Sequence, residues 1–146
     1  MPYDWEHPVP LFSRRKELAV QSFMLKVVNN HCQELEALAE GPRLEGRVRL
    51  TVVVLVIPVE DGRPAITQLF AAVTKEFSTS GVSLVLNEPR SLDHVILGLR
   101  HEGGLHFVHA KAKHLNPMGA GFYQLGLQLT KMVQTGDYPE LEAIRF

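Results

Sequence analysis

Apolar residues recur at spacings of three and four between Arg15 and Glu40, the pattern of a helix with one apolar side. That side is predicted to carry Leu18, Val20, Phe23, Met24, Val27, Val28, Leu35 and Leu38. Because proline cannot continue the helical hydrogen-bond ladder, the helix is predicted to end at Gly41-Pro42. Residues 1–14 hold three prolines and few periodic apolar positions, so they are predicted to form an irregular leader.

Beyond Pro42 the hydrophobic pattern changes to short apolar runs separated by turn residues. Val, Leu and Ile dominate these runs, which favours strands. No interval is long enough for the helix that joins parallel strands, so an antiparallel sheet is expected. Six strands are predicted, over residues 47–59, 65–77, 82–86, 94–100, 105–115 and 122–132. The turns between them are predicted at 61–64, 78–81, 87–91, 102–104 and 116–121.

These elements predict an all-β fold, a small antiparallel barrel with a helical extension at its N-terminus. Three segments follow from the pattern. Residues 1–40 form the leader and the helical extension, residues 41–133 form the barrel, and residues 134–146 form a C-terminal tail. A short helical turn is predicted within the tail, over residues 137–144.

Composition and charge limit the kinds of molecule that the chain is expected to bind. The chain has 146 residues, the size of one domain, with 15 Lys and Arg against 16 Asp and Glu. A net charge of −1 gives no general basic field, so neither DNA nor RNA is an expected partner. A phosphate-bearing ligand would have to be met by a local arginine cluster. The single cysteine, Cys32, excludes an intramolecular disulfide and zinc sites built from several cysteines.

The chain also lacks the sequence signals of membrane insertion and export. Its longest apolar stretch, residues 52–57 with their flanks, is far shorter than the ~20 residues of a membrane-spanning helix. Its first residues are polar and acidic, unlike a secretory signal. A cytoplasmic protein without a membrane span is therefore expected.

A first candidate binding cluster lies between the helix and the first strand. Arg43 and Arg47 are four residues apart in a segment framed by proline and glycine, and Arg49 follows two residues later. Each guanidinium presents a planar fork of donors that matches phosphate oxygens and the O6 and N7 acceptors of guanine. The alternative is that these arginines are solvated loop residues paired with Glu40 or Glu45.

A second candidate cluster, EFSTSG, lies at the end of the second predicted strand. The Glu76 carboxylate can accept hydrogen bonds from guanine N1 and N2, and the Ser78 hydroxyl can bond a phosphate. Gly81 is predicted to adopt a positive φ that lets the backbone pass close to a ligand. The alternative is an ordinary Ser/Thr/Gly hairpin turn without a ligand.

Taken in order, the two clusters resemble the PilZ domain family. RLEGR at 43–47 matches that family's RxxxR motif, and EFSTSG at 76–81 matches its [D/N]xSxxG motif at the serine and the glycine. Glu76 departs from the Asp or Asn of the family pattern. The strand series up to YQLGLQL is also similar, and its glycine between apolar residues, Gly126, is a frequent feature of the family's last strand. The resemblance covers about residues 41–133.

The resemblance implies a six-stranded antiparallel barrel that binds cyclic di-GMP, a bacterial second messenger with two guanines and two phosphates. Arg43 and Arg47, with Arg49 beside them, would grip phosphates and guanine edges while their loop closes over the ligand. Ser78 and Gly81 would line the floor of the site, and Glu76 would supply an acceptor. This implies a receptor without catalysis, cofactor or metal that passes ligand binding on to a protein partner.

Two alternatives to the receptor remain open. The first is a degenerate PilZ fold that has lost the nucleotide and serves as an adaptor, docking on another protein or on a second copy of itself. The second is a small hydrolase that uses the histidines of the predicted hairpin, His101, His106, His109 and His114. Positions 106 and 109 point to opposite faces of a strand, so these histidines are predicted to be surface residues with satisfied polar groups.

Overall fold

The computed structural model describes residues 15, 16, 19, 20, 23, 48, 49, 51–78 and 80–144. The strands in these residues are β1 Val48–Arg49, β2 Val53–Glu60, β3 Arg63–Pro64, β4 Phe70–Phe77, β5 Gly81–Leu86, β6 His94–His101, β7 Gly104–Gly119 and β8 Phe122–Val133. Two 3-10 helices lie at Ile66–Gln68 and Pro139–Ala143. Among the described residues, no helix is long and apolar enough to span a membrane.

Six of the strands close into an antiparallel barrel. They lie side by side in the order β4-β5-β8-β7-β6-β2, and β2 pairs again with β4 to complete the circle. The two short strands extend this sheet, since β1 pairs with the end of β4 and β3 pairs with the end of β2. The predicted all-β, six-stranded antiparallel barrel is confirmed.

The barrel interior is filled by residues that alternate along each strand. Val54 and Val56 of β2, Leu97 of β6 and Leu125 of β8 are almost fully buried there. Each such side chain contributes about 1.5–3 kcal/mol when it is removed from water. Neighbours in the sequence point to the outer face of the sheet.

The N-terminal segment is helical at the five positions described, Arg15, Lys16, Ala19, Val20 and Phe23. Val20 and Phe23, both on the predicted apolar side, are buried and belong to the barrel's hydrophobic cluster. The other predicted helical positions lie outside the described residues. The extension is therefore packed on the barrel through at least these two side chains.

The C-terminal tail covers part of the outer face. Leu141, in the predicted helical turn, is 1% exposed and packs with Ile57, Ile96, Phe107 and Val133 in a second apolar cluster. The turn is the 3-10 helix Pro139–Ala143, so this prediction is confirmed. A two-point ion pair between Arg63 and Glu140, with N–O distances of 2.9 and 2.6 Å, anchors the same turn.

Strand boundaries differ from the predicted ones in three places. The first predicted strand is interrupted, because β1 ends at Arg49 and β2 begins at Val53. The second begins at Phe70, because residues 66–68 form a 3-10 turn. The predicted 116–121 turn is shorter than expected, since β7 continues to Gly119 and the chain turns at Ala120 and Gly121. Pro117 is tolerated there because the pairing shifts by one residue between Pro117 and Gly119.

Candidate functional site

Five residues line up across five neighbouring strands on the outer face of the barrel. The pairing register places Arg49 of β1 opposite Glu76 of β4, Glu76 opposite Ser83 of β5, Ser83 opposite Gly126 of β8, and Gly126 opposite His114 of β7. Directly opposed residues share one face of an antiparallel sheet. Val82 and Leu84, on either side of Ser83, belong to the interior cluster, so these five residues face outward. We call them the outer row.

A pocket lies over the outer row. Its empty volume is about 440 Å³, open solvent at its mouth included. The residues that line it include Glu76, Ser78, Gly81, Ser83, Lys113, His114, Gln124 and Gly126. Three residues predicted from the sequence as binding residues, Glu76, Ser78 and Gly81, are therefore brought together at one concave surface.

The Ser78 hydroxyl is engaged within its own turn. Its Oγ accepts hydrogen bonds from the backbone N–H of Gly81 at 3.0 Å and of Ser80 at 3.4 Å, and it donates to the Gly81 carbonyl at 3.3 Å. The Ser78 N–H donates to the same carbonyl at 2.9 Å. Since a hydroxyl has one proton to donate, Ser78 first of all holds the hairpin between β4 and β5.

Gly81 is required for a reason other than the predicted one. The expected positive φ is wrong, because Gly81 starts β5 in ordinary strand conformation and the glycines with positive φ lie elsewhere. A Cβ at this position would lie only 3.0 Å from the Leu127 carbonyl oxygen and 3.6 Å from Ser78 Oγ. The missing side chain therefore allows β8 to approach closely beneath the pocket.

A β-bulge sets the direction of Glu76. Thr74 is opposite Leu84, and Glu76 is opposite Ser83, so Lys75 is an extra residue in β4. Bulges bend a strand and re-aim its side chains. Lys75 Nζ donates to Gln124 Oε1 at 3.2 Å, and Gln124 lines the pocket. The bulge thus places the half-buried Glu76 in the pocket lining and the Lys75 ammonium group against Gln124 of the same lining.

The arginine cluster is described only in part. Arg43 and Arg47 lie outside the described residues. Arg49 is exposed, and β1 holds it opposite Glu76 at one end of the outer row. The residue that directly follows Arg47 in the chain, Val48, is opposite Phe77 in the same pairing. The chain beyond the RLEGR segment therefore runs along β4 beside the second predicted cluster.

The other end of the row is formed by residues that sequence reasoning did not select as binding residues. The His114 ring lies against the backbone of Gly126, where a Cβ would overlap with the imidazole. Lys113 precedes it at the pocket wall. His114 was predicted to be a surface residue, or a hydrolase residue under the alternative hypothesis. The signal for Ser83 is a small polar residue at an outward position within an apolar run.

The remaining hairpin histidines lie away from the pocket. His101 is 7% exposed and packs edge-on against Phe23, with ring centroids 5.9 Å apart, so its predicted surface position is wrong. The helical extension covers it there. The His106 ring also packs against Phe23, with ring centroids 5.1 Å apart. In the strand pairing, His106 is opposite Leu99 of the interior cluster. His109 is opposite Ile96 of the outer cluster, which confirms that 106 and 109 point to opposite faces.

His109 has a hydrogen-bonded partner of its own. The Thr130 hydroxyl donates to the His109 carbonyl at 2.9 Å and therefore accepts from His109 Nδ1, 2.7 Å away. Burial, with His94 and Lys131 nearby, lowers the pKa of His109 from its ordinary value of 6.5. In the described part of the chain, no three His, Cys, Asp or Glu residues group as metal ligands would.

Comparisons with known proteins leave the family open. No protein-family model matches the chain, and no curated protein sequence matches it. Among solved structures, the chain is similar to the Bacillus subtilis inhibitor of motility MotI/DgrA, with 16% identity and a TM-score of 0.46. The match covers 65% of this chain and 44% of that one, so this chain corresponds to less than half of that structure's length.

Proposed function

We propose that the protein is a receptor for cyclic di-GMP that passes ligand binding on to a protein partner. The observation that carries this proposal is the convergence of Glu76, Ser78 and Gly81 on one outer-face pocket. These are the residues of the PilZ-like [D/N]xSxxG segment. Arg49, two residues beyond the PilZ-like RxxxR segment, lies opposite Glu76 at the edge of the same surface.

The chemistry of the surface suits a guanine nucleotide. The Glu76 carboxylate is an acceptor for guanine N1 and N2, and arginine forks suit phosphate oxygens and guanine O6 and N7. Lys113 lines the pocket, and Lys75 is hydrogen-bonded to Gln124 of its lining, so both add positive charge there. In this proposal Arg43 and Arg47 close over the ligand from the segment that leads into β1.

Transmission to a partner follows from the order of the chain. The arginine segment connects β1 with the N-terminal helical extension, whose Val20 and Phe23 pack on the barrel. An anionic ligand that neutralises the arginines holds their segment against the pocket and so biases how the extension packs. Ligand binding then changes the surface that the extension and the barrel together present to another protein.

A second candidate function, a nucleotide-free adaptor, is favoured by three observations. Glu76 stands where the PilZ pattern has Asp or Asn, and the Ser78 hydroxyl already donates within its own turn. Val53 and Val73, directly opposite each other on β2 and β4, are 50% and 37% exposed and form an apolar surface. In this case cyclic di-GMP does not bind the wild type, and Glu76→Asp regains affinity for it.

Calorimetric titration tests the receptor proposal. Cyclic di-GMP is titrated into the wild type and into Arg43→Ala, Arg47→Ala and Arg100→Ala. Arg100 is an exposed arginine of β6, outside the pocket, and serves as the matched control. The proposal predicts micromolar or tighter binding that is abolished by the first two substitutions and kept by the third. Tight binding that is indifferent to Arg43 and Arg47 contradicts the arginine assignment.

A further inference from the structure

Ser83 carries a buried hydroxyl without a partner. The residue is 7% exposed, and its Oγ makes no hydrogen bond within the described structure. Buried polar groups in native proteins are nearly always hydrogen-bonded, and an exception requires an explanation. Ser83 is in the middle of the outer row and lines the pocket, so a ligand bound there is the natural partner for its hydroxyl.

Beside this hydroxyl, the pocket wall offers a cation that is not neutralised. Lys113 is exposed, lines the pocket, and forms no ion pair or hydrogen bond with any described residue. A hydroxyl donor beside an ammonium group is a combination that suits the oxygens of a phosphate. Glu76 lies on the other side of Ser83, where its negative charge disfavours phosphate and suits a donor edge of a base.

The His114 ring covers Gly126, which forms the floor of the pocket between these groups. Its ring lies against Gly126, the residue opposite Ser83, and the histidine is exposed although the glycine beneath it is buried. No described residue forms a hydrogen bond or an ion pair with His114. Because no hydrogen bond or ion pair to a described residue holds the ring, it can leave by rotation about its side-chain bonds, which uncovers Gly126.

We infer that Ser83 and Lys113 bind a phosphate of the ligand, and that the His114 ring is a cover that leaves Gly126 when the ligand enters. This inference rests on the proposed function and deepens it. It assigns one phosphate of cyclic di-GMP to the β5–β8–β7 end of the outer row and one guanine to the Glu76 end.

Four variants in one calorimetric series test the assignment. Ser83→Ala removes a hydrogen bond to a charged group, so cyclic di-GMP affinity is expected to fall about 10- to 100-fold. Lys113→Gln is expected to weaken binding and to make it less sensitive to salt, whereas Lys111→Gln is expected to do neither. Lys111 is the matched control, an exposed lysine two residues away on β7 that does not line the pocket. His114→Ala removes the cover, so affinity is expected to equal or exceed that of the wild type.

Thermal unfolding without ligand separates binding from folding. Because Ser83 Oγ has no partner to lose, Ser83→Ala is expected to unfold at the same temperature as the wild type or higher. A lower unfolding temperature in Ser83→Ala would reveal a structural hydrogen bond and overturn the assignment. A loss of affinity in His114→Ala would overturn the role of the ring as a cover.

The outcomes also distinguish this inference from the receptor proposal. Binding by the wild type that requires Arg47 but is unchanged in Ser83→Ala and Lys113→Gln overturns the phosphate assignment alone. Absence of cyclic di-GMP binding by the wild type overturns both.

Discussion

The imidazole of His114 lies against the backbone of Gly126, its cross-strand neighbour, in the space where any side chain at position 126 would begin. The glycine is buried, whereas the ring that lies against it is exposed. The space that a side chain at position 126 would take first is therefore occupied by the His114 ring.

Gly126→Ala tests this relationship. The new methyl group displaces the His114 ring, which is exposed and flexible, so the barrel is expected to keep its fold. In a His114→Ala background the three atoms nearest to the new methyl group are gone, and alanine is then expected to stabilise the strand by about 0.5–1 kcal/mol over glycine. Chemical denaturation of the two single variants and the double variant measures this. A double variant less stable than His114→Ala would mean that something other than the ring needs the space.

Gly81 is expected to be far less tolerant of substitution than Gly126. A Cβ there meets the Leu127 carbonyl at 3.0 Å, and a backbone atom in a paired strand cannot move aside as a ring can. Gly81→Ala is expected to lower the free energy of unfolding by about 1–3 kcal/mol.

Gly136→Ala is the control for Gly81→Ala. This glycine has no neighbouring atom within 4 Å of a Cβ and no positive φ, so the substitution is expected to be neutral or slightly stabilising. Equal unfolding midpoints for the two alanine variants would refute the close approach of β8 as the reason for Gly81.

Several features of this site could be predicted from local sequence and others could not. The strands were predictable because apolar and turn residues alternate over short distances, as in residues 94–101. The bulge at Lys75 was not, because its position depends on how β4 registers against β5. The contact of His114 with Gly126 likewise depends on a shift in the β7–β8 pairing between Ala112 and His114, to which no local pattern points.

The two candidate clusters illustrate the same limit. The turn that contains Ser78 and Gly81 was predictable from the spacing of its hydroxyl and glycine residues. The hydrogen bonds within the turn and the close approach of β8 were not predictable. They show that the Ser78 hydroxyl stabilises the turn and that the missing side chain of Gly81 leaves room for β8. Ser83 was not predicted as a binding residue, because a serine within a strand gives no signal until the structure shows whether its hydroxyl has a hydrogen-bond partner.

The C-terminal tail is expected to be part of the fold. Leu141 is 1% exposed among the residues of the outer apolar cluster. Leu141→Ala removes buried side-chain atoms and leaves a cavity, so the free energy of unfolding is expected to fall by about 2–5 kcal/mol. Val53→Ala, at a half-exposed position, is expected to cost much less. Denaturant titration of both variants checks this, and a negligible loss in Leu141→Ala would contradict the docking of the tail.

His109 makes stability depend on pH in a defined direction. Its pKa in the folded protein is below 6.5 because of burial and of His94 and Lys131, whereas in the unfolded chain it takes its ordinary value. Between the two values the unfolded state binds more protons, so this contribution to stability is lost as pH falls below about 6.5 and is constant below the folded pKa. Unfolding measured from pH 8 to pH 5 is expected to show a shallower decline for His109→Gln. A decline as steep as that of the wild type would rule His109 out as its source.

The most direct measurement for the whole account is a structure of the protein crystallised with cyclic di-GMP. The account predicts ligand density over the outer row, with a guanine at Glu76, a phosphate within hydrogen-bonding distance of Ser83 Oγ and Lys113 Nζ, and Arg43 and Arg47 on the opposite side of the ligand. Density at a different surface of the barrel, with the His114 ring still against Gly126, would contradict it.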